Sequence, residues 1–423
     1  MKKLLKDYCS VIFGTGFSRG ISFITALVLA RRLSVEGFGR FSMFFTIMML
    51  AWQIPAIIDG VYVRYAKAGK EHHGPAYLRA ALLIKLGIIF CMLVAAYPMA
   101  RLLGGAVFRK PGLDVFIALA IVSGGLLSVL SSLAAVYQAE ERFVAFSAVN
   151  AGFYVLVFAG VIGFIVRNAP LTDVNASLIF FAAAVVTGAL AGAFLIKRIR
   201  PGFEVNPGLC KEMSHFGKWL FAEALVYIFL QRLDLLFLGR FAGYAEIGVY
   251  SAAVRIAMVA SILTGAAAAI FMPRGCQALK SRSHLSAYFK EAAAATMGLT
   301  ALIVVLIVAS PIFVSRLFGS GYMQAVVPTR ILLLEAVFVL MYTPFSFLFY
   351  ASGETKKIFA IGMIRLLVMA GALWLLVPRL GPVGAAVSIA VSSLAGLVGA
   401  AALSGKAMRC NGPCEAVYTE LIR

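Results

Sequence analysis

Long uninterrupted runs of apolar residues constrain this sequence more than any other feature. Four of them exceed 20 residues without a single Asp, Glu, Lys or Arg: 115–139, 143–166, 292–315 and 383–405. A helix of about 20 residues crosses the roughly 30 Å hydrocarbon core of a bilayer, and no soluble core needs such windows. Because the runs are apolar on all sides rather than alternating, they indicate transmembrane helices and not the strands of an outer-membrane barrel.

The pattern predicts an all-α integral membrane protein with about twelve transmembrane helices. The composition agrees, since 62% of the residues are hydrophobic and 13% are charged. The connections are short, so we expect no soluble catalytic domain between spans. The predicted spans are 11–31, 41–60, 78–99, 115–137, 143–166, 175–196, 215–238, 247–272, 292–315, 329–350, 357–378 and 383–404.

The positions of lysine and arginine predict the orientation, because short basic loops stay in the cytoplasm. With the N-terminus inside, the opposite side collects about half as many basic residues as the cytoplasmic side. We therefore expect both termini to be cytoplasmic. The formal net charge of +20 then reflects attraction to anionic lipids of the inner leaflet rather than nucleic-acid binding. The cytoplasmic set includes Lys2, Lys3, Lys6, Arg64, Lys67, Lys70, Lys197, Arg198, Arg200, Lys211, Lys280, Arg282, Lys356 and Lys357.

No motif in the sequence indicates a catalytic centre, a metal or a cofactor. The six cysteines and four histidines do not show the spacing of metal ligands. The phosphate-binding pattern GxxxxGK[ST] of ATP-hydrolysing enzymes does not occur. We therefore expect neither a metal nor a cofactor, and no catalytic residue.

The sequence contains an internal repeat. The segment LARRLSVEGFGRFSMFF aligns without a gap on LGRFAGYAEIGVYSAAV, which places Arg31 opposite Arg240. A second pair, YQAEERFVAF from Tyr137 and YASGETKKIFAI from Tyr350, follows at almost the same offset. Two matches in register, both at loops, predict that the chain arose by duplication.

The duplication predicts two six-helix lobes, residues 1–200 and 201–423, joined by the basic stretch Lys197–Lys211. An even number of helices in each half gives both halves the same orientation, so a pseudo-twofold axis along the membrane normal is expected. In transporters built this way the pathway lies between the repeats. Helices one, two, seven and eight are therefore expected to line a central cavity.

Three segments carry a family resemblance: LSVEGFGRFS after an Arg-terminated first helix, RLDLLFLGRFAGYAEIGVYSAAVR, and the turn YASGETKK. On these the chain resembles the polysaccharide and O-antigen flippases (Wzx-like) of the multidrug/oligosaccharidyl-lipid/polysaccharide (MOP) exporter superfamily. The resemblance implies a MATE-like fold whose lobes open alternately to either side of the bacterial cytoplasmic membrane. The implied cargo is a polyprenyl-diphosphate-linked oligosaccharide. Membrane lipids and the polymerase or chain-length machinery of surface polysaccharides are the further partners expected.

Cations at membrane depth are the candidate ligands for such a cargo. A charged group inside the bilayer costs a few kcal/mol, so each needs a partner, water or a function. Guanidinium groups bind phosphate oxygens in bidentate fashion. We therefore expect Arg19, Arg255 and Arg365 to bind the diphosphate, with Lys85 as a second choice. For Lys85 the alternative is that its long stem reaches the headgroups.

Acidic and polar side chains complete the expected site. Asp59, Glu223 and Asp234 either pair with these cations or titrate in ion coupling. Polar residues recur at helical spacing on several spans, which indicates faces that meet water in a cavity or hydrogen-bond to other helices. The cavity-lining candidates are Thr15, Ser22, Gln53, Tyr227 and Gln231.

Two other functions are consistent with a multi-span chain. A cation-coupled exporter of drugs or other small molecules belongs to the same superfamily, but exporters of cationic drugs are expected to favour acids at depth, whereas this sequence favours cations. A membrane-bound glycan polymerase or ligase is a different class. Such enzymes need a large external loop, and the predicted outer loops are short.

Overall fold

The computed structural model describes residues 2–68, 74–110, 112–199, 207–279 and 281–407, and within these segments it is helical throughout, with short turns and no strand. A π-helical segment, Leu102–Val107, and a 3₁₀ segment, Ser320–Ala325, precede α4 and α10. The helices are α1 (Lys2–Arg32), α2 (Val35–Ala68), α3 (Gly74–Arg101), α4 (Asp114–Ala139), α5 (Phe143–Val166), α6 (Asp173–Arg198), α7 (Pro207–Phe241), α8 (Tyr244–Ala278), α9 (Arg282–Phe318), α10 (Val326–Ala351) and α11 (Thr355–Ala407).

Helix α11 is two helices joined at a break. Gly381 has φ 51° and ψ −125°, a backbone conformation outside the helical region. Only a residue without a Cβ adopts positive φ at little cost, and Pro382 follows, so the chain bends here and then resumes a helix. With this break the described segments contain twelve α-helical rods, the number that the apolar runs predict.

Nine helices among the described residues are long and apolar enough to cross a membrane. The predicted spans in α7 and α8 are not among these nine, and the last two predicted spans fall in the continuous element α11. Large apolar side chains such as Phe13, Phe90 and Val308 are exposed, as expected for helices that face lipid. The chain is therefore an all-α, multi-pass membrane protein.

The helices form two compact units, Met1–Ile228 and Phe229–Arg423. In the first unit α4 is central and packs against α2, α3, α5 and α6. In the second unit α10 is central and packs against α8, α9 and α11. The division falls within α7, whereas the sequence-predicted halves divide at 200/201; superposable lobes remain a prediction.

The two central helices correspond to each other by position. Helices α4 and α10 are both 26 residues long, and α10 begins 212 residues after α4. The helix that follows each of them, beginning at Phe143 or Thr355, keeps the offset of 212 residues. This constant spacing supports the duplication that the sequence predicts.

The turn after each central helix has the same hydrogen bonds. The N–H of Arg142 donates to the carbonyl of Tyr137 at 2.9 Å, and the N–H of Glu354 donates to the carbonyl of Phe349 at 2.9 Å. Each turn also contains one residue of positive φ, 57° in the first and 72° at Gly353 in the second. Tyr137 therefore corresponds to Phe349, and the sequence alignment of Tyr137 with Tyr350 is shifted by one residue.

The turns that join α1 to α2 and α7 to α8 also match. Leu33 N–H donates to the carbonyl of Leu29 at 2.8 Å, and Ala242 N–H donates to the carbonyl of Leu238 at 2.9 Å. The offset between these turns is 209 residues, the offset of the first sequence match. The repeat is thus visible in backbone geometry at both places where the sequence indicates it.

Helices α2 and α4 approach each other very closely. A Cβ on Gly124 would lie 2.5 Å from the carbonyl oxygen of Met48 and 2.8 Å from the backbone nitrogen of Trp52. Real Cβ atoms do not come so near to backbone, so only glycine permits this contact. At the corresponding position, 212 residues later, α10 carries Ala336.

Candidate functional site

A buried ion pair lies inside the first unit. The ammonium nitrogen of Lys85 on α3 lies within 3.0 Å of four oxygens: both carboxylate oxygens of Asp59 on α2 and the hydroxyls of Ser131 and Ser132 on α4. The hydroxyls also contact the Asp59 carboxylate, at 2.6 and 3.1 Å. We call these four residues the Asp59–Lys85 pair. They connect three helices of the bundle.

The geometry of this pair decides between the roles predicted for Lys85. Lys85 is 1% exposed, so its ammonium group does not reach the lipid headgroups. Its charge is neutralised by Asp59, as an uncompensated charge in a low-dielectric interior would be very costly. Asp59 therefore acts here as the pair partner of Lys85, one of the two roles expected for it.

A second set of charged residues lies in the other unit, beginning with Asp234 on α7. Asp234 is 4% exposed, and its Oδ2 accepts a hydrogen bond of 2.6 Å from the hydroxyl of Tyr250 on α8. Its Oδ1 is buried and has no hydrogen-bond partner among the described residues. The positive charge of Arg232 acts on the same carboxylate. A buried carboxylate oxygen without a donor is uncommon and indicates a site with unused binding capacity.

Helices α10 and α11 contribute the rest of this set. Nη2 of Arg365 donates to the hydroxyl of Ser393 at 3.0 Å, and that hydroxyl donates to Oε1 of Glu335 at 2.6 Å. The hydroxyl of Ser392 donates to the carbonyl of Arg365 at 2.8 Å. Glu335 interacts electrostatically with both Arg365 and Asp234. We call Asp234, Tyr250, Glu335, Arg365 and Ser393 the Asp234–Arg365 cluster.

The side chain of Arg365 is held in place along its whole length. Its stem passes Gly396, where a Cβ would lie 2.5 Å from the Cδ of the arginine. Its guanidinium lies 5.7 Å from the ring centre of Tyr342. Nε is buried and donates to no acceptor in the described segments, although the side chain as a whole is partly exposed. A fixed guanidinium with a spare donor suits an additional acceptor such as a phosphate oxygen.

Three members of this cluster, Glu335, Tyr250 and Ser393, were not candidates from the sequence. Glu335 had a detectable signal, because it is an acid inside the apolar run 329–350. Tyr250 and Ser393 carry no such signal, since tyrosine and serine are common in membrane helices.

The remaining predicted ligands are not brought together with Arg365 in one unit. Arg19 on α1 is exposed in the first unit and makes no ion pair with any described residue. Arg255 on α8 is partly buried in the second unit, and Glu223 on α7 is partly buried in the first. How these residues contribute to one site is therefore a matter of proposal.

The predicted polar stripes do not have uniform surroundings. On α7, Tyr227 is 60% exposed whereas Asp234 is 4% exposed. On α1 the hydroxyls of Ser18 and Thr25 are buried and donate to backbone carbonyls of their own helix, at 2.8 and 2.7 Å. The cavity-lining candidates divide into exposed and partly buried side chains: Thr15, Tyr227 and Gln231 are exposed, and Ser22 and Gln53 are partly buried.

Sequence comparisons connect this chain with polysaccharide export. A family model described as "Polysaccharide biosynthesis protein" matches residues 4–275. The succinoglycan biosynthesis transport protein ExoT of Rhizobium meliloti (strain 1021) is 24% identical over 288 residues, which make up 66% of this chain and 54% of that relative. The matched part of the chain thus spans about half the length of this relative.

Solved structures of transporters share the fold. The lipid II flippase MurJ in its inward closed conformation matches with a TM-score of 0.75 at 13% identity, over 94% of this chain and 87% of that one. An inward-facing multidrug resistance MATE transporter of the MOP superfamily matches with a TM-score of 0.72 at 15% identity, over 92% and 94% of the two chains. At such identities the likeness concerns the fold alone, and it confirms the predicted all-α MOP fold.

Proposed function

Because the chain belongs to the polysaccharide biosynthesis protein family, we propose that it is a flippase for a polyprenyl-diphosphate-linked oligosaccharide. It moves the repeat unit of a surface polysaccharide across the bacterial cytoplasmic membrane by alternating access of two lobes, with both termini in the cytoplasm. The protein is a transporter and not an enzyme. Its further partners are membrane lipids and the polymerase or chain-length machinery that receives the cargo.

The observation that carries this proposal is Arg365, a partly exposed cation with a spare donor on a membrane helix. A diphosphate that leaves water needs charge compensation and hydrogen-bond donors, and a guanidinium supplies both. Arg19 and Arg255 are proposed to act with Arg365 at other stages of transfer. Lys85 would first have to release Asp59, so its contribution to cargo binding is smaller.

Asp234 is the strongest of the proposed coupling residues. Its buried carboxylate has an oxygen that accepts nothing from the described residues, and it lies near a second acid, Glu335. These carboxylates also favour a second candidate function, the cation-coupled export of drugs or other small molecules, since a structural match is a multidrug transporter. Glu223 and Asp59 are weaker candidates for coupling, the latter because it is already paired with Lys85.

A glycan polymerase or ligase is the least favoured function. Such an enzyme needs an external loop that presents catalytic residues, whereas the described helices are joined by short turns. The cargo and the reaction class are distinguished by one experiment, in which lipid-linked repeat units are localised to a leaflet in cells that lack the protein. Completed single repeat units trapped on the cytoplasmic leaflet are expected. Repeat units that reach the outer leaflet but stay unpolymerised would favour a polymerase.

The role of Arg19 is tested in the same cells. Arg19→Ala is expected to reduce surface-polysaccharide export strongly while the protein still inserts, and Arg19→Lys should retain part of the activity because charge persists without the planar fork. The matched control is Lys290→Ala, which removes an exposed cation from α9. Normal export by a stably inserted Arg19→Ala variant would exclude this residue from the mechanism.

A further inference from the structure

Glu335 is positioned to control how strongly Arg365 binds an anion. The Ser393 hydroxyl accepts a hydrogen bond from Arg365 and donates its own proton to Glu335, so the guanidinium and the carboxylate are joined through one atom. Ser393 is 2% exposed, which protects this bridge from water. Glu335 and Arg365 are both partly exposed, so a ligand can reach the guanidinium without unfolding the helices.

Two further charged groups face this bridge. Asp234 on α7 interacts with Glu335, and Arg232 on the same helix interacts with Asp234. Arg365 is thus the cation nearest to Glu335 in a set that contains two carboxylates. An anion that binds Arg365 meets repulsion from both carboxylates, and Glu335 is the nearer one through Ser393.

A transporter needs a cargo site that binds well enough to load and weakly enough to unload. An arginine in a low-dielectric site without a competing carboxylate would hold a diphosphate very tightly, because each charge-assisted hydrogen bond is strong there. A nearby carboxylate lowers this affinity by repulsion. It also provides the guanidinium with a partner after the cargo has left, so that no buried charge is left unpaired.

We propose that Glu335 is a positioning residue that competes with the diphosphate of the cargo for Arg365, and so makes binding of the cargo reversible. In the absence of cargo Arg365 is held on Glu335 through Ser393. When the headgroup arrives, its phosphate oxygens take the free Nε and the Nη2 of Arg365, and Glu335 keeps only the Ser393 proton. This inference rests on the proposed function, because it assumes a cargo with an anionic headgroup.

The test uses the purified full-length chain and three probes: a short-chain polyprenyl diphosphate, the corresponding monophosphate and the uncharged polyprenol. Glu335→Gln keeps the shape of the side chain and removes its charge. It is expected to tighten diphosphate binding about tenfold, to tighten monophosphate binding less, and to leave polyprenol binding unchanged. In liposomes the same variant should lower both KM and kcat, because unloading becomes slow.

Two glycines of α11 provide a matched pair of variants that leave both charges in place. Gly396→Ala puts a methyl group 2.5 Å from the stem of Arg365 and should displace the guanidinium, which weakens diphosphate binding. Gly399→Ala adds the same group to the same helix, 4.0 Å from Ile361, and should bind like the wild type. The effect of Glu335→Gln should vanish in an Arg365→Gln background, since the competitor then has no cation to compete for.

Three outcomes separate this inference from the function beneath it. If the wild type binds the diphosphate no better than the polyprenol, the proposed function is wrong and the inference with it. If the wild type prefers the diphosphate but Glu335→Gln binds it equally or more weakly, only the inference is wrong, and Glu335 has a structural role. Should Glu335→Gln fail to fold, Glu335→Asp, which withdraws the carboxylate from Ser393, must show tighter diphosphate binding; unchanged or weaker binding overturns the inference.

Discussion

The two units place opposite chemistry at corresponding positions. The offsets of 209 and 212 residues, fixed by the matching turns and helix starts, pair four buried or partly buried sites of the first unit with members of the Asp234–Arg365 cluster. The pairs are Thr25 with Asp234, Phe41 with Tyr250, Ser123 with Glu335, and Phe153 with Arg365.

In the first unit these positions belong to an ordinary packed core. The rings of Phe41 and Phe153 lie 5.0 and 6.0 Å from the ring of Phe180, in edge-to-face arrangements. Ser123 and Thr25 are buried, and their hydroxyls donate to backbone carbonyls of their own helices. The fold is therefore stable without charge at these positions, and the charges of the second unit call for an explanation other than packing.

The reverse comparison holds for the Asp59–Lys85 pair. Where α4 carries Ser131 and Ser132, α10 carries Thr343 and Pro344 at the offset of 212 residues. The Thr343 hydroxyl donates to a backbone carbonyl of its own helix at 2.7 Å. Each unit thus has one charged cluster of its own. The first is fully engaged in pairing, whereas the second leaves an Asp234 oxygen and Arg365 Nε unused in the described segments.

The largest expected effect comes from removing one half of the Asp59–Lys85 pair. Asp59→Ala leaves the Lys85 ammonium unpaired in the bundle and is expected to lower the free energy of unfolding by about 3–5 kcal/mol. The double variant Asp59→Ala/Lys85→Met removes both charges and should regain most of that stability. Thermal unfolding of the purified variants, followed by helical circular dichroism, measures both. Equal loss in the single and double variants would show that the pair does more than neutralise Lys85.

A second prediction exchanges chemistry between the units. The variant Arg365→Phe/Glu335→Ser gives the second unit the residues found at the corresponding positions of the first. Because both charges leave together, the protein is expected to fold, while transport falls about 10- to 100-fold, as the loss of charge-assisted hydrogen bonds to the cargo predicts. Transport of lipid-linked oligosaccharide in liposomes is the measurement. The control is Ser123→Ala in the first unit, and undiminished transport by the exchanged variant would remove the functional meaning of the comparison.

A third prediction concerns the central helices. Gly124→Ala places a methyl group against the backbone of α2 and is expected to cost about 1–3 kcal/mol of unfolding free energy. In α10 the corresponding change, Ala336→Gly, should cost only about 1 kcal/mol, mainly through helix propensity. Gly152→Ala on α5, where a Cβ meets nothing within 4 Å, is the neutral control. A stable Gly124→Ala variant would mean that α2 and α4 can separate.

The smallest expected effect is that of Tyr250→Phe, which makes the second unit like the first at one atom. The variant loses the hydrogen bond to Asp234, and such bonds between membrane helices contribute about 0.6 kcal/mol on average. We expect a decrease in stability of that order, with folding intact. A loss many times larger, measured by the same unfolding assay, would indicate that the Tyr250 hydroxyl organises the whole Asp234–Arg365 cluster.

The sequence predicts the helices well wherever the apolar run and the helix coincide. Helix α5 begins and ends where the run 143–166 does, and α4 differs from its predicted span by one or two residues. Helix α9 begins at Arg282, well before the predicted span 292–315, because its first turns are polar. An apolar run records only the part of a helix that lies in hydrocarbon, so polar extensions escape it.

The charged clusters are less accessible to sequence analysis, because their members are far apart along the chain. Lys85 and Asp59 are separated by 26 residues, and Ser393 and Glu335 by 58. Within one helix, polar residues are linked by the spacing of three or four residues, and this rule identified Asp234 and Arg19. No comparable rule links residues on different helices of a bundle, so Glu335 could be recognised as unusual but its partners could not.

The close approach at Gly124 also has a consequence for measuring the motions of this protein. With backbone against backbone at Met48 and Trp52, α2 and α4 have no room to slide past one another. Protein cores respond to force by switching between discrete packings rather than by gradual deformation. A pair of spin labels on these two helices should therefore report one unchanging distance throughout the transport cycle, and so serve as an internal ruler against which label pairs elsewhere in the chain can be calibrated.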